Sequence, residues 1–198
     1  MHMKTYFCIL LSLSFSLNAV EGGTDSLSVA KTVASEKFSG FSYGSDMQKK
    51  QINCVQFIGA VVSRLLSRPL TEQEIDAIYI KTKFDDLNHA VDVGDERTKG
   101  VSFAFTKVLK CGREVRHDEA TAGDFVQYWI KKKNGEWMGH SAILAKVWEG
   151  ADGVNRAAIY GANQSTNGIA ETAFNGNEGL RLNGADRRVY IVRFELRQ

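Results

Sequence analysis

Three residues far apart in the chain could together do nucleophilic chemistry: a cysteine, a histidine and a side-chain amide. Cys54 follows Asn53 at the predicted start of an apolar helix, His140 opens a predicted strand, and Asn163 ends the next strand. A cysteine beside a histidine base attacks carbonyl carbons, and an amide that accepts the ring N–H holds the imidazole in place. The sequence therefore predicts a site for acyl chemistry formed by these residues, with Gln164 as the alternate third residue.

Cys54 occupies a position where a helix N-terminus would favour negative charge. Asn53 is a good N-cap, Gln56 completes a capping box three residues on, and apolar residues then recur at helical spacing. Cys54 is thus the first helical residue, where the backbone N–H has no intrahelical partner and the helix dipole stabilises a thiolate or an oxyanion. A lone cysteine is more often a small core residue. The catalytic interpretation therefore depends on the base, His140.

The periodicity changes from helical to strand-like after Gly112, and this change decides where His140 and Asn163 lie. Helices are predicted near residues 28–38, within the stretch 51–66 from Cys54 onward, and over 71–79 and 101–110, the last ended by Gly112, with a loop or short helix over 82–96. Strands are predicted over 124–130, 137–148, 157–163 and 189–196, with a hairpin turn at Asn134-Gly135 and mostly loop over 167–184. Helices followed by antiparallel strands predict an α+β fold, with the nucleophile at a helix N-terminus packed on a C-terminal antiparallel sheet.

The N-terminus has the order of zones that export requires. Lys4 precedes an apolar run over residues 7–17, and small and polar residues follow around Ala19. We predict a signal peptide over residues 1–19, a loosely structured lead-in over 20–47 and a single domain over 48–198. The protein is then expected to be secreted or periplasmic, with no membrane span after signal cleavage.

The composition excludes some classes of partner without naming one. Hydrophobic residues make up 43% and charged residues 24% of the chain, which is ordinary for a globular protein, and the formal net charge of +2 is too small to predict nucleic-acid binding. The basic run over residues 131–133 precedes a turn, so we assign it no binding role. The acidic residues over 82–96 do not match a calcium loop, and we predict no metal and no cofactor. The oligomeric state is left open.

Two cysteines remain once Cys8 is removed with the signal peptide: Cys54 and Cys111. In an oxidising compartment they could form a disulfide, which would consume the nucleophile. The alternative interpretation is therefore a non-catalytic exported binding module. A third interpretation keeps the cysteine chemistry but uses it for acyl transfer or ester cleavage.

The order of these parts resembles the papain-like cell-wall hydrolases, namely the CHAP-type amidases and the NlpC-type peptidases. In these families a cysteine starts the first core helix, a Gly-Asp segment starts a strand, and a Gly-His segment starts the next strand. The corresponding segments, within a match over about residues 40–165, are Asn53-Cys54-Val55-Gln56-Phe57, Gly123-Asp124-Phe125-Val126 and Gly139-His140-Ser141-Ala142-Ile143. Cys54 is not followed by Ser-Gly as in NlpC-type motifs, and residues 68–116 form a longer, more helical stretch than the simplest members need.

The resemblance implies a papain-like fold and a cysteine amidase or peptidase. Cys54 would be the nucleophile, His140 the base and Asn163 the orienting amide, with hydrolysis through an acyl-enzyme. The implied substrate is an amide bond in peptidoglycan or a peptide. For the second oxyanion donor, beside the Cys54 amide, the resemblance points to Gln48, with Gln51 or Tyr43 as alternatives. The walls of the cleft could come from Trp137, Trp148 or Tyr160.

Overall fold

A computed structural model describes residues 25–80, 84–173 and 178–196. The predicted signal peptide, residues 1–19, lies outside the described residues. Within the described ranges, no helix combines the length and the apolar character that crossing a membrane requires.

Among the described residues, five helices precede the main sheet, and side-chain caps begin the first four of them. Thr71 and Glu74 form a capping box at the start of the third helix, and Asp86 caps the fourth. The fifth helix changes to π-helical hydrogen bonding after one turn, where Leu109 N bonds to Ala104 O. The helices are α1 (Ser26–Lys37), α2 (Cys54–Leu65), α3 (Glu72–Ile78), α4 (Leu87–Val93) and α5 (Val101–Phe103, continued as a π-helix over Ala104–Val108).

The strands form a small parallel pair and one larger antiparallel sheet. The parallel pair joins β1 (Ser42–Tyr43) to β2 (Gln51–Ile52), immediately before Cys54. The strands of the larger sheet are β3 (Gly112–Val115), β4 (Phe125–Lys131), β5 (Trp137–Glu149), β6 (Asn155–Asn163), β7 (Gly168–Thr172), β8 (Leu180–Arg181) and β9 (Arg187–Phe194). They lie in the order β3-β9-β4-β5-β6-β7, with β8 paired to β6. The predicted α+β class is confirmed.

Alternate residues of the sheet contribute to two separate apolar clusters. Phe125 and Ile143 belong to the cluster that also holds α1, α2 and α5, where Phe57 and Val61 of α2 are fully buried. Val126 and Ala142, each adjacent in sequence to one of these strand residues, belong to the other cluster. Each fully buried large apolar side chain contributes about 1.5–3 kcal/mol, so the packing fixes α2 against β5 and β6.

The described part of the predicted lead-in packs more firmly than expected. Residues 25–47 contain all of α1, whose Ala30 and Val33 are fully buried in the same cluster as α2. Asp25 caps this helix by accepting a hydrogen bond from Ser28 N at 3.2 Å. This segment therefore supports the helix that carries Cys54.

Two parts of the chain that were not predicted as strands belong to the main sheet. The helix predicted over 101–110 ends by Lys110, whose φ is 52°, but Gly112 begins β3 rather than serving only to end that helix. Gly112 is required there because a Cβ would lie 2.7 Å from the carbonyl oxygen of Arg193 on β9. The prediction of mostly loop over 167–184 was wrong at its two ends, which contain the short strands β7 and β8.

Candidate active site

Cys54 is the first residue of α2, as predicted, and the capping box is complete. Asn53 Oδ1 accepts from Gln56 N at 2.9 Å, and Gln56 Oε1 accepts from Asn53 N at 3.0 Å. The amide of Gln56 also donates to the carbonyl of Ser45 at 3.1 Å. One side chain thus fixes both the start of the helix and the loop after β1, so the surroundings of Cys54 are held in place.

Cys54 and His140 line the same cavity, whose volume is about 440 Å³. The cavity lies between the N-terminus of α2, the loop after β1, the end of α3 and the hairpin formed by β4 and β5. Much of its wall is aromatic or apolar, and the segment from the end of α3 to the start of α4 contributes Ile78, Tyr79, Ile80 and Leu87. Cys54 and His140, the nucleophile and the base proposed from the sequence, therefore both contribute to the wall of one space large enough for part of a peptide.

Tyr43 lies beside Cys54 because β1 and β2 pair in parallel. The pair sets Tyr43 opposite Ile52, two residues before Cys54. Burial, and secondarily the charge of the Cys54 sulfur, raises the pKa of the Tyr43 hydroxyl. The hydroxyl therefore stays protonated at neutral pH and remains a hydrogen-bond donor at the cavity wall.

His140 lies on β5 directly opposite Tyr128 on β4. The two rings have centroids 5.5 Å apart at an interplanar angle of 51°. The preceding residue, Gly139, is covered by the ring of Trp129, and a Cβ at this position would lie 2.4 Å from that ring. The glycine of the Gly-His segment is therefore explained by close packing of Trp129 on the strand.

Asn163 is the last residue of β6, and its side chain interacts with His140 of β5. The pairing of the two strands matches Ile143 to Tyr160, and extending this register by three residues would set His140 opposite Asn163. Asn163 is 4% exposed, and its Nδ2 donates to Gly161 O at 2.9 Å and Ala170 O at 3.4 Å. Since the amide nitrogen is occupied, the side-chain oxygen is the atom left to accept from His140.

The imidazole of His140 is held neutral by its surroundings. Burial lowers its pKa from 6.5 to about 4, and the hydrogen-bonding interaction with Asn163 opposes this fall. Its Nε2 atom is buried and has no partner within hydrogen-bond distance among the described residues. A neutral imidazole in a cavity wall can accept a proton, which is what a general base must do.

Cys54 and His140 line one cavity and Asn163 interacts with His140, whereas the other two candidates lie elsewhere. Gln48 lies on an exposed 3₁₀ turn over Met47–Lys49 and is not among the residues that line the cavity. Gln164 is exposed in the turn after β6. Of the three residues considered for the second oxyanion donor, Tyr43 is the one that lines the cavity.

Cys54 and Cys111 are thiols and form no disulfide with each other. Cys111 is buried in the core, and the charges that influence its pKa are those of Arg68 and Glu74. Cys54 has different neighbours, because its charge influences the pKa values of Tyr43 and Tyr128. Burial raises the pKa of Cys111 to about 11. The bridge that would have consumed the nucleophile is absent, and Cys111 is an inert core thiol.

The aspartate of the Gly-Asp segment has a structural role. Asp124 is 2% exposed and binds Arg193 of β9 through both carboxylate oxygens, at 2.7 and 2.9 Å. Thr121 N donates to the same carboxylate at 2.8 Å. Gly123, with φ of 92°, makes the turn that aims Asp124 inward. This segment fixes the start of β4 and thereby the hairpin that carries His140.

Tyr128, the strand partner of His140, was not predicted from the sequence as part of the site. Of the three aromatic residues proposed for the cleft, only Trp137 lines the cavity. Tyr160 packs on Phe57 of α2, with ring centroids 6.0 Å apart. The feature of the sequence that could have identified Tyr128 is the hairpin turn, which determines which residue of β4 lies opposite His140.

The prediction that the site holds no metal stays a prediction. No group of three or more histidine, cysteine, aspartate or glutamate residues in the described ranges could hold a metal ion.

Comparisons with known proteins leave the family of this chain open. No protein-family model matches the chain, and no curated protein matches its sequence. One similar solved structure is an N-acetylmuramoyl-L-alanine amidase from Bacteroides uniformis, with 11% sequence identity and a TM-score of 0.39, covering 88% of this chain and 99% of that one. At this TM-score the likeness carries no argument about activity.

Proposed function

We propose that this protein is an exported, papain-like cysteine hydrolase of amide bonds, acting on peptidoglycan or on peptides derived from it. One observation carries the proposal: Cys54, at the N-terminus of a capped helix, lines the same cavity as His140, whose strand neighbour is Asn163. The substrate class and the export rest on the sequence, through the CHAP-type and NlpC-type resemblance and the signal-like N-terminus.

The chemistry starts from a neutral pair. His140, with a pKa near 4, accepts the proton of the Cys54 thiol, and the thiolate attacks the amide carbonyl. The Cys54 backbone N–H, at the positive end of α2, and the Tyr43 hydroxyl donate to the oxyanion. The imidazolium then gives its proton to the leaving amine, and a thioester remains on Cys54.

Water completes the cycle. His140, neutral again, takes a proton from a water molecule that attacks the thioester, and the acid product leaves as the thiol is reformed. Asn163 holds the imidazole through its side-chain oxygen, because its amide nitrogen is bound to Gly161 and Ala170. Each group thus performs the role that its hydrogen bonds and protonation state allow.

Digestion of purified peptidoglycan fragments, followed by mass spectrometry of the products, tests this proposal. The mature protein should cleave an amide bond, the Cys54→Ala variant should not, and the Cys111→Ala variant should cleave at a rate close to wild type. Adding an amine acceptor separates hydrolysis from acyl transfer, since a transferase would give the amide adduct. Equal turnover by wild type and Cys54→Ala would contradict the proposed mechanism.

A further inference from the structure

The charge of the cavity wall comes from one side chain. Among the described residues that line the cavity, Lys132 is the only lysine, arginine, aspartate or glutamate. His140 is neutral near pH 7 because burial holds its pKa near 4. The described part of the wall therefore presents a positive charge with no lining carboxylate to offset it.

The existing ion pair of Lys132 is weak. Its Nζ lies 3.5 Å from Glu136 Oε2, and the two side chains are 49% and 56% exposed. Exposed pairs of this kind contribute about 0–1 kcal/mol. The neighbouring Lys131 differs, since its Nζ binds Asp92 at 3.1 Å and lies 5.1 Å from the centre of the Trp137 ring. Lys132 can therefore exchange Glu136 for a ligand at little cost.

Much of the cavity wall is aromatic or aliphatic. Trp129 and Trp137 are 2% and 6% exposed, and Leu87 of α4 lines the same cavity as Lys132. These side chains offer contacts to the apolar parts of an organic anion, while the half-exposed ammonium group of Lys132 attracts its charge.

The register of the hairpin fixes how far Lys132 lies from the base. Tyr128 pairs with His140, and Lys132 is four residues beyond Tyr128. Four strand residues span roughly 13 Å. Three to four extended peptide residues, at about 3.3–3.6 Å each, cover that distance.

We propose that Lys132 binds a carboxylate three to four residues from the scissile amide, so that the substrate class is an acidic peptide. This proposal rests on the proposed function, because the scissile bond is placed at Cys54 and His140. The carboxylate belongs to the C-terminus of the peptide or to an acidic side chain, and in both cases the ammonium group donates to its oxygens. The basic turn, to which the sequence assigned no role, thereby acquires one.

Calorimetric binding to the Cys54→Ala protein tests the subsite without turnover. Three synthetic peptides with a peptidoglycan stem sequence serve as probes: one with a free C-terminus and a glutamate, one with a C-terminal carboxamide, and one with glutamine for glutamate. Either the carboxamide peptide or the glutamine peptide should bind about fivefold more weakly than the peptide that keeps both carboxylates. This difference corresponds to about 1 kcal/mol of binding free energy. The peptide that loses affinity identifies the source of the carboxylate.

Lys132→Met in the same background should remove the difference, whereas Lys133→Met should preserve it. Lys133 is the matched control because it is the exposed next residue and is not among those that line the cavity. Equal binding of all three peptides, binding of none, or an unchanged preference in Lys132→Met would overturn the proposal. Turnover is measured separately with Cys54 intact, so a failure to hydrolyse any peptide would contradict the proposed function while leaving the binding result interpretable.

Discussion

Tyr128 and His140 face each other across β4 and β5, in register and with ring centroids 5.5 Å apart. Tyr128 is only 2% exposed, so its ring shields one side of the imidazole from water. Burial is the main cause of the low pKa of His140. We therefore predict that Tyr128 contributes to the burial that keeps His140 neutral.

Replacing Tyr128 by alanine should admit water to His140 and raise its pKa from about 4 toward 6.5. The acid limb of kcat/KM should then move to higher pH by about one unit or more. Tyr128→Phe keeps the ring and should leave the limb in place, although it removes the hydroxyl. An NMR titration of the His140 ring in each variant checks the same shift without activity. An unmoved pKa in Tyr128→Ala would show that other groups bury the imidazole.

The low pKa of His140 also makes stability depend on pH. The unfolded chain binds a proton on His140 below about pH 6.5, and the folded protein does so only below about pH 4. The free energy of unfolding should therefore fall as the pH falls from 6.5 to 4. Below pH 4 the free energy of unfolding should continue to fall for a different reason. The hydrogen bond with Arg68 holds the pKa of Glu74 at about 2 in the folded protein, so protonation of Glu74 favours the unfolded chain.

Urea unfolding of wild type and His140→Gln over this range isolates the contribution of His140. The difference in unfolding free energy between the two proteins should change between about pH 6.5 and 4 and stay constant above about pH 7. A difference that does not vary with pH in that window would contradict the assignment of a neutral, buried His140.

Tyr43 should matter to catalysis and Gln48 should not. Tyr43→Phe removes one oxyanion donor while keeping the ring, and kcat should fall by about 10²-fold or more with little change in KM. Gln48→Ala alters an exposed side chain on a 3₁₀ turn and should leave both constants unchanged. Steady-state kinetics on one peptide substrate gives both comparisons. A loss of kcat in Gln48→Ala alone would restore the donor implied by the family resemblance.

Asn163 and its neighbour Gln164 provide a second comparison between a buried candidate residue and an exposed one. Asn163→Ala removes the group that orients His140, and kcat should fall roughly tenfold, less than the roughly 10²- to 10⁴-fold contribution of a general base itself. It also removes the donor to Gly161 O and Ala170 O, so a lower melting temperature is expected. Gln164→Ala, in the exposed turn, should change neither quantity. Equal kcat values for the two variants would exclude Asn163 as the orienting residue.

Local sequence rules were sufficient for the start of α2. The Asn53 and Gln56 capping box depends only on residues three apart, and it placed Cys54 correctly at the first helical position. The proximity of Cys54, His140 and Asn163 depends on strand order, which the sequential pairing of β4, β5 and β6 made predictable.

The partner of His140 could not be predicted in the same way. A two-residue Asn134-Gly135 turn would pair Trp129 with His140, whereas the actual turn contains one more residue and pairs Tyr128. A one-residue change in register exchanges the two faces of a strand, so the environment of the base depends on turn geometry that the dipeptide alone does not specify.

The strands that were not predicted from the sequence are short or lie at an edge of the sheet. The Gly112–Val115 strand pairs only with β9 and alternates poorly, since both of its central residues are exposed. Its pairing is decided by the close approach of Gly112 to Arg193, a contact between positions far apart in the chain. Such contacts leave no local periodicity.

The central claim, that Cys54 forms a covalent acyl-enzyme with His140 as base, is tested most directly by intact-protein mass spectrometry after acid quench during turnover. We predict an added acyl mass, which peptide mapping places on Cys54, in wild type and in Cys111→Ala, and no such adduct in Cys54→Ala. Substrate turnover without an adduct on Cys54, together with activity retained in Cys54→Ala, would contradict the claim.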